Sequence, residues 1–342
     1  MGRRRWMVDK YNRVIDYIRI SITDRCNLRC VYCMPREGVE FIPHENILTY
    51  EEITRLCRCF ASLGVSKVKL TGGEPLVRKD LSHLVKEIKS IEGINNVTLT
   101  TNGILLADQI EGLVQAGINA VNVSLDTLDP EQYEKLTGFS KLNQVLEGIE
   151  ETLKYNIALK INCVPIRGDH KEDNILSMVS LAKENKLHVR FIEMMPIGLG
   201  KDLEGFTEED IIKILEKEYG ILTPYQAPLG NGPCHYYSLE NFKGKIGFIS
   251  AVSPQFCSSC NRVRLTSEGY LKNCLQFASG RDLKTLMRQG IRDEELIQVI
   301  HETIMRKPKE HQFKQSDPSN ADQEKELSKE ELESRRMSQI GG

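Results

Sequence analysis

The sequence predicts an α/β fold built from parallel strand–helix units. Three observations carry the prediction. Short, strand-like apolar runs alternate with amphipathic stretches of helical length through the first two hundred residues. The strand-like run recurs six times. Each run also ends in a polar, reactive-looking cluster, as expected where parallel βα units gather their chemistry at the C-terminal ends of the strands.

Residues 17–22 (Tyr-Ile-Arg-Ile-Ser-Ile) alternate and read as the first strand. Thr49, with Glu52 three residues on, is a capping-box pattern that opens a helix over 50–63. Residues 66–70 read as the second strand and 80–91 as its helix. Residues 96–100 are the third strand, followed by a helix over 107–116 that Gly117 ends. Residues 119–125 are the fourth strand, with helical sequence from there to about residue 155. Residues 158–164 are the fifth, with a helix near 173–184, and 188–193 are the sixth. The rhythm breaks after Pro196. Residues 207–219 read as a surface helix capped by Thr207, with Asp210 at the box position. A breaker cluster over 227–233 then precedes short strands over 236–239 and 245–249. The expected division is 1–225, 226–313, and a charge-rich linker with a Gly-Gly terminus over 314–342. That last part reads as a flexible end, with a frayed helix at most over 328–333.

Bulk composition narrows the function class. The chain has 342 residues, 40% hydrophobic and 27% charged, with a net charge of −2. That balance gives no argument for nucleic acid or an anionic membrane, and no apolar run is long enough to span a bilayer. The basic start, Arg3-Arg4-Arg5-Trp6, has no apolar core behind it, so a secretory signal is not expected and the cytoplasm is the default. In such a chain ten cysteines point to metal binding rather than disulfides.

Two cysteine groups stand out. Cys26, Cys30 and Cys33 form a Cys-x3-Cys-x2-Cys run directly after the first strand. Three thiolates leave one iron of a [4Fe–4S] cluster without a protein ligand, and so open to a small molecule. Zinc with a fourth ligand elsewhere, or buried thiols, is the plainer alternative. Cys257 and Cys260, a Cys-x2-Cys pair, precede Cys274, and here bare spacing suits zinc somewhat better. The link Asn261-Arg262-Val263-Arg264 changes that balance. Arg262 and Arg264 fall on one side of an extended segment, and guanidinium forks beside a metal centre suit a polyphosphate. A solvated edge strand is the alternative for these arginines. The remaining clusters are Thr71-Gly72-Gly73-Glu74, Thr100-Thr101-Asn102-Gly103, Ser124-Leu125-Asp126, Lys160-Ile161-Asn162 and Glu193-Met194-Met195-Pro196. Each alone could be a turn, a cap or a solvated side chain. In Gly72-Gly73 the missing side chains allow close backbone approach to a ligand.

Cys26-x3-Cys30-x-Tyr32-Cys33 after one strand, and Gly72-Gly73-Glu74-Pro75 after the next, resemble the radical S-adenosylmethionine enzymes. Phe191-Ile192-Glu193, the stretch from Phe256-Cys257 through Cys274, and the terminal Met337-Ser-Gln-Ile-Gly-Gly narrow the resemblance to the GTP 3′,8-cyclases of molybdenum cofactor biosynthesis. The likeness covers nearly the whole chain. It implies an incomplete (βα)6 TIM-like barrel with a C-terminal α+β extension carrying a second iron–sulfur cluster. The first [4Fe–4S] cluster would sit on Cys26, Cys30 and Cys33, with S-adenosylmethionine on its open iron. The second would sit on Cys257, Cys260 and Cys274 and bind the guanine of GTP.

The implied reaction is that of a lyase. A 5′-deoxyadenosyl radical takes the 3′ hydrogen of GTP, and the ribose radical closes onto C8 to give 3′,8-cyclo-7,8-dihydro-GTP. An external electron donor feeds the reaction, and a cyclic pyranopterin monophosphate synthase consumes its product. Oligomeric state is left open, a homodimer included. The resemblance places Arg19, Lys69, Thr100, Lys160, Arg262, Val263 and Arg264 on GTP. It places Tyr32, Gly72, Gly73, Glu74, Ser124 and Met195 on S-adenosylmethionine. Arg19, Arg262, Arg264 and the terminal Gly341-Gly342 are the implied catalytic set. Two features depart from the family. Lys69 stands where an arginine is usual, keeping the charge and losing the fork, and the charged stretch before the terminal motif is longer. The rival readings are a peptide-modifying radical enzyme with an auxiliary cluster, which usually carries more C-terminal cysteines, and a non-catalytic metal-binding protein.

Overall fold

Strands β1 (Tyr17–Ser21), β2 (Lys67–Thr71), β3 (Asn96–Thr101), β4 (Ala120–Ser124), β5 (Ala158–Cys163) and β6 (His188–Ile192) lie side by side in chain order, all parallel. The computed structural model describes residues 6–168, 171–252, 256–313, 332, 333, 335 and 337–340. Helices α1 (Tyr50–Ser62), α2 (Leu81–Lys89), α3 (Leu106–Gln115), α4 (Pro130–Thr137), α5 (Leu142–Leu153) and α6 (Glu172–Glu184) connect the strands. The capping box at Thr49 and Glu52 is formed as the sequence suggests. The single helical stretch expected between the fourth and fifth strands is instead two helices. Asp129 caps α4 through the Gln132 N–H at 2.7 Å, and Gly138 ends it in the left-handed region at φ 85°, which a side chain would disfavour.

Beyond α7 (Glu208–Tyr219) the chain extends both edges of the same sheet. Strand β9 (Ile246–Ile249) adds in parallel to β6, and β10 (Arg262–Leu265) adds in parallel to β1. Eight parallel strands result, where six were expected from the first two hundred residues. Open parallel edges leave backbone donors and acceptors unpaired, and these later strands satisfy them. Antiparallel β8 (His235–Ser238) and β7 (Thr223–Tyr225) continue one side, and β11 (Tyr270–Lys272) and β12 (Gly280–Asp282) the other. Helices α8 (Leu283–Arg288) and α9 (Asp293–Met305) follow.

The two faces of the sheet differ in chemistry. Ile18, Ile20, Val68, Leu70, Val97, Leu99, Val121, Val123, Ile161 and Val189 are fully buried in one core shared with the helices. Each such side chain contributes on the order of 2 kcal/mol of burial. The alternate positions, Arg19, Lys69, Thr100, Asn122, Lys160 and Arg190, are polar. A parallel sheet ordinarily buries apolar side chains on both faces. Here the inner face is built to hold something polar.

The C-terminal end is a correction to the expected flexible terminus. Leu332 bridges Phe277, Glu333 is buried, and α10 (Met337–Ile340) packs on β1, with Ile340 fully buried. Residues 314–331 and Gly341-Gly342 lie outside the described residues. No helix among the described residues is long and apolar enough to cross a membrane.

Candidate active site

A cavity of about 330 Å³ opens on the polar face. Its walls run from Arg262 and Arg264 on β10, through Arg19 on β1, to Arg190 on β6 and Ile249 on β9. Strands so far apart along the sheet line one cavity because the sheet curls into a partial barrel. Register sets the layers. Arg264, Arg19 and Lys69 stand level across three neighbouring strands. Asn122 and Lys160 pair level on β4 and β5, as do Asn162 and Arg190 on β5 and β6.

This wall is strongly cationic. Burial lowers the basicity of Arg19, and nearby Arg262 and Arg190 add to the effect. Burial, then Arg190, Arg19, Lys160 and Arg262, hold Lys69 well below the usual lysine range. Burial and Arg190 push Lys160 down to about 8. Among the described residues no carboxylate forms an ion pair with Lys69 or Lys160. Like charges gathered in a low-dielectric cavity are costly unless an anion joins them.

One triad of thiols opens the cavity from the β1 side. Cys26, Cys30 and Cys33 all line it. Burial, then Cys33, Asp126 and Cys26, raises the Cys30 thiol well above its usual range. Ionising one of these thiols therefore hinders the next, and a cationic centre relieves the conflict. The supports are close. Tyr32 donates to Asp126 Oδ2 at 2.7 Å, and Asp126 Oδ1 accepts from the Val164 N–H at 2.8 Å. Gly73 explains how the loop is held. A β-carbon there would stand 2.3 Å from the Arg25 carbonyl oxygen, while its own N–H donates to the Thr23 carbonyl at 2.7 Å. At Gly72 a β-carbon would be 2.5 Å from the Thr23 oxygen. The close approach seen here is thus to the cysteine loop itself. Glu74, buried and pushed up to about 7 by burial, accepts from Asn102 N at 2.6 Å, Thr101 Oγ1 at 2.7 Å and Leu76 N at 2.9 Å. It ties the ends of β2 and β3 to this loop.

Cys257, Cys260 and Cys274 line the opposite end of the cavity. Burial by itself would raise the Cys260 thiol, but Lys307 and Arg262 outweigh it and bring it to about 7. Lys307 is fixed by the carbonyls of Asn273 at 2.5 Å and Arg262 at 2.9 Å. Arg13 holds the loop from behind, donating to the Cys257 carbonyl at 3.0 Å and the Pro308 carbonyl at 2.7 Å. Among the described residues no three cysteine, histidine or carboxylate side chains converge as a single metal ion requires.

Two stretches match family models: residues 20–179 the radical SAM superfamily, and residues 187–313 "Molybdenum Cofactor Synthesis C". A GTP 3′,8-cyclase of Clostridium perfringens (strain 13) is 48% identical over 308 residues, covering 90% of this chain and 95% of that one. One from Desulforamulus reducens is 44% identical over 314 residues, covering 89% and 95%. The chain belongs to the GTP 3′,8-cyclase family. A third member, from Pelotomaculum thermopropionicum, is 43% identical over 340 residues and covers 98% of this chain and all of its own. Membership of the radical SAM superfamily brings a [4Fe–4S] cluster and S-adenosylmethionine, and the half-buried, mutually hindered thiols of the Cys26 loop fit such a group.

Of the residues singled out in the sequence, Arg19, Tyr32, Lys69, Gly72, Gly73, Glu74, Thr100, Ser124, Met195, Arg262, Arg264 and all six motif cysteines line the cavity. Lys160 does not line it; it is buried on the same strand face, near enough to Arg190 for the two charges to repel. Val263 does not. It pairs with Ile18, is fully buried in the apolar core, and points to the helix-covered face because strand neighbours alternate. Sequence reasoning missed Arg190, which donates to Asn122 Oδ1 at 2.6 Å and Asn162 Oδ1 at 2.5 Å. Its place two residues from His188, in an alternating strand, was the available signal. Lys307 and His311 also line the cavity, and no local pattern marks them.

Proposed function

We propose that this chain converts GTP to 3′,8-cyclo-7,8-dihydro-GTP, the first step of molybdenum cofactor biosynthesis. The observation that carries the reading is a cationic cavity enclosed between two cysteine triads, in a chain of this family. Lys69, Lys160, Arg19, Arg190, Arg262 and Arg264 would take the triphosphate. Arginine forks give it orientation, and the two lysines act as point charges. Lys69, in the position where the family usually has arginine, supplies charge without a fork.

Cys26, Cys30 and Cys33 would hold the first [4Fe–4S] cluster, and Cys257, Cys260 and Cys274 a second. When bound, the first cluster supplies the electron that splits S-adenosylmethionine into methionine and a 5′-deoxyadenosyl radical. The chain's own work is positioning. Tyr32, fixed by Asp126, stands with Ser124 and Met195 on the S-adenosylmethionine side. Thr100 and the cationic wall would orient the nucleotide so that its 3′ hydrogen faces the reacting carbon. Gly341-Gly342, which follow α10 in the chain, complete the catalytic set of this reading. An external electron donor and a downstream cyclic pyranopterin monophosphate synthase complete the reading.

The test is an anaerobic turnover with dithionite, S-adenosylmethionine and GTP deuterated at the 3′ position. Deuterium in 5′-deoxyadenosine, together with an isomer of GTP, is the expected result by mass spectrometry. 5′-Deoxyadenosine free of deuterium would overturn GTP as substrate and leave a peptide-modifying radical enzyme as the reading.

A further inference from the structure

The charge-rich stretch 314–331 contains only two aliphatic residues, Ala321 and Leu327. A long polar connection restrains the position of the segment beyond it only weakly. Yet α10 is in register on β1. The Ser21 hydroxyl donates to the Ser338 carbonyl at 3.4 Å, Ser267 N donates to the Gln339 carbonyl at 3.3 Å, and the Ser338 N–H faces the Cys33 thiol. Between Phe313 and Met337, the described residues Leu332, Glu333 and Arg335 also hold the segment to the fold.

Lys272, at the end of β11, is fully buried and forms an ion pair with the buried carboxylate of Glu333. Its Nζ also donates to the Phe277 carbonyl at 2.6 Å. The backbone closes the same contact, since Glu333 N donates to the Gln276 carbonyl at 2.8 Å and Leu332 bridges Phe277. Arg335 adds a third point. Its N–H donates to Glu333 Oε1 at 2.8 Å, and its guanidinium lies 4.3 Å from the centre of the Tyr270 ring. A buried carboxylate without its lysine would be stranded in a low-dielectric site, so this contact forms in one register only.

We propose that Glu333 is a positioning residue. Clipped to Lys272, it sets where the chain re-enters the fold, and so delivers Met337–Ile340 to the cavity, which Met337 lines. The clip also joins two sites. Lys272 and Phe277 bracket Cys274, whereas α10 touches Cys33, so the loop of the second triad is the dock for a segment that closes over the first. This rests on the reading that the C-terminal end takes part in the cyclisation.

The test uses the reconstituted holoenzyme with Glu333→Ala, Glu333→Asp and a chain ending at Arg336. Amide hydrogen exchange over 337–340 reads docking directly. Iron content, and 5′-deoxyadenosine formed without GTP, report whether the rest of the site is intact. Glu333→Ala is expected to speed exchange over 337–340 by about tenfold or more, because a buried ion pair is lost. GTP cyclisation is expected to fall by a similar factor, with iron and GTP-free cleavage unchanged, and Glu333→Asp to recover part of both. Unchanged exchange in Glu333→Ala would overturn the clip. Faster exchange with undiminished cyclisation would overturn its positioning role. The shortened chain separates the two ideas. If it loses cyclisation while Glu333→Ala does not, the end matters and the clip is wrong. If the shortened chain cyclises normally, the reading of the C-terminal end fails, and the proposal with it.

Discussion

Arg19 on β1 stands level with Arg264 on β10 across a parallel strand pair, two cations side by side on the cavity wall. Burial and then the nearness of Arg19 and Arg262 hold Arg264 well below the ordinary arginine range. A pair of like charges placed this way costs stability in the free protein and becomes favourable when an anion lies between them.

Arg264→Met is therefore expected to weaken GTP binding while leaving the fold intact. GTP affinity should fall by about 2 kcal/mol or more, the scale for removing one partner of a buried charge pair. Thermal melts with and without GTP measure both. A variant that is less stable and binds GTP as well as the parent would show that Arg264 serves the fold and not the ligand.

Lys160 gives the pH dependence. Burial and Arg190 bring it to about 8 in the free protein, so it is charged below that pH and neutral above it. A triphosphate favours the charged form. KM for GTP is thus expected to be flat on the acid side and to rise as pH passes about 8. Lys160→Arg keeps its charge and should flatten the rise. The sign for stability is the reverse. Because the folded value lies below the unfolded 10.5, this group makes the ligand-free fold more stable as pH climbs from about 8 toward 10.5. A KM that stays level through pH 9 in the parent enzyme would remove Lys160 from the phosphate site.

Gly73→Ala tests the packing beneath the first triad. The added carbon would meet the Arg25 oxygen at 2.3 Å and the Asp24 oxygen at 2.7 Å, both backbone atoms with little room to yield. The Cys26 loop should be displaced while the Cys257 loop is untouched. After anaerobic reconstitution, about four irons per chain are expected in place of about eight. Full iron content in the variant would mean that the loop tolerates the shift, and an unmutated chain holding only four irons would contradict the second cluster.

Much of this site was legible in the sequence because its signals are local. Cysteine spacing, a double glycine after a strand and a capping box at Thr49 each depend on residues a few positions apart, and local geometry fixes what they can do. The six-strand rhythm was readable for the same reason, since period and length distinguish strand from helix within one element. Arg190 shows the limit. Its strand was recognised, but only the curl of the sheet turns that position toward Arg19 and Lys69, which come from strands far back in the chain.

The sequence by itself determined the chemistry available: two thiol triads, a set of cations on alternating strand positions and a terminal motif. Tertiary structure decided what those groups face. Pairing of β10 with β1, and of β9 with β6, brings the last third of the chain to both edges of the first sheet. Alternation along β10 then sends Arg262 and Arg264 inward and Val263 outward. The buried Lys272–Glu333 pair ties Glu333 to the end of β11, and Met337 beyond it lines the cavity. These are contacts between residues distant in sequence, and their free energy comes from burying apolar faces and pairing open strand edges, which exist only once the chain has folded.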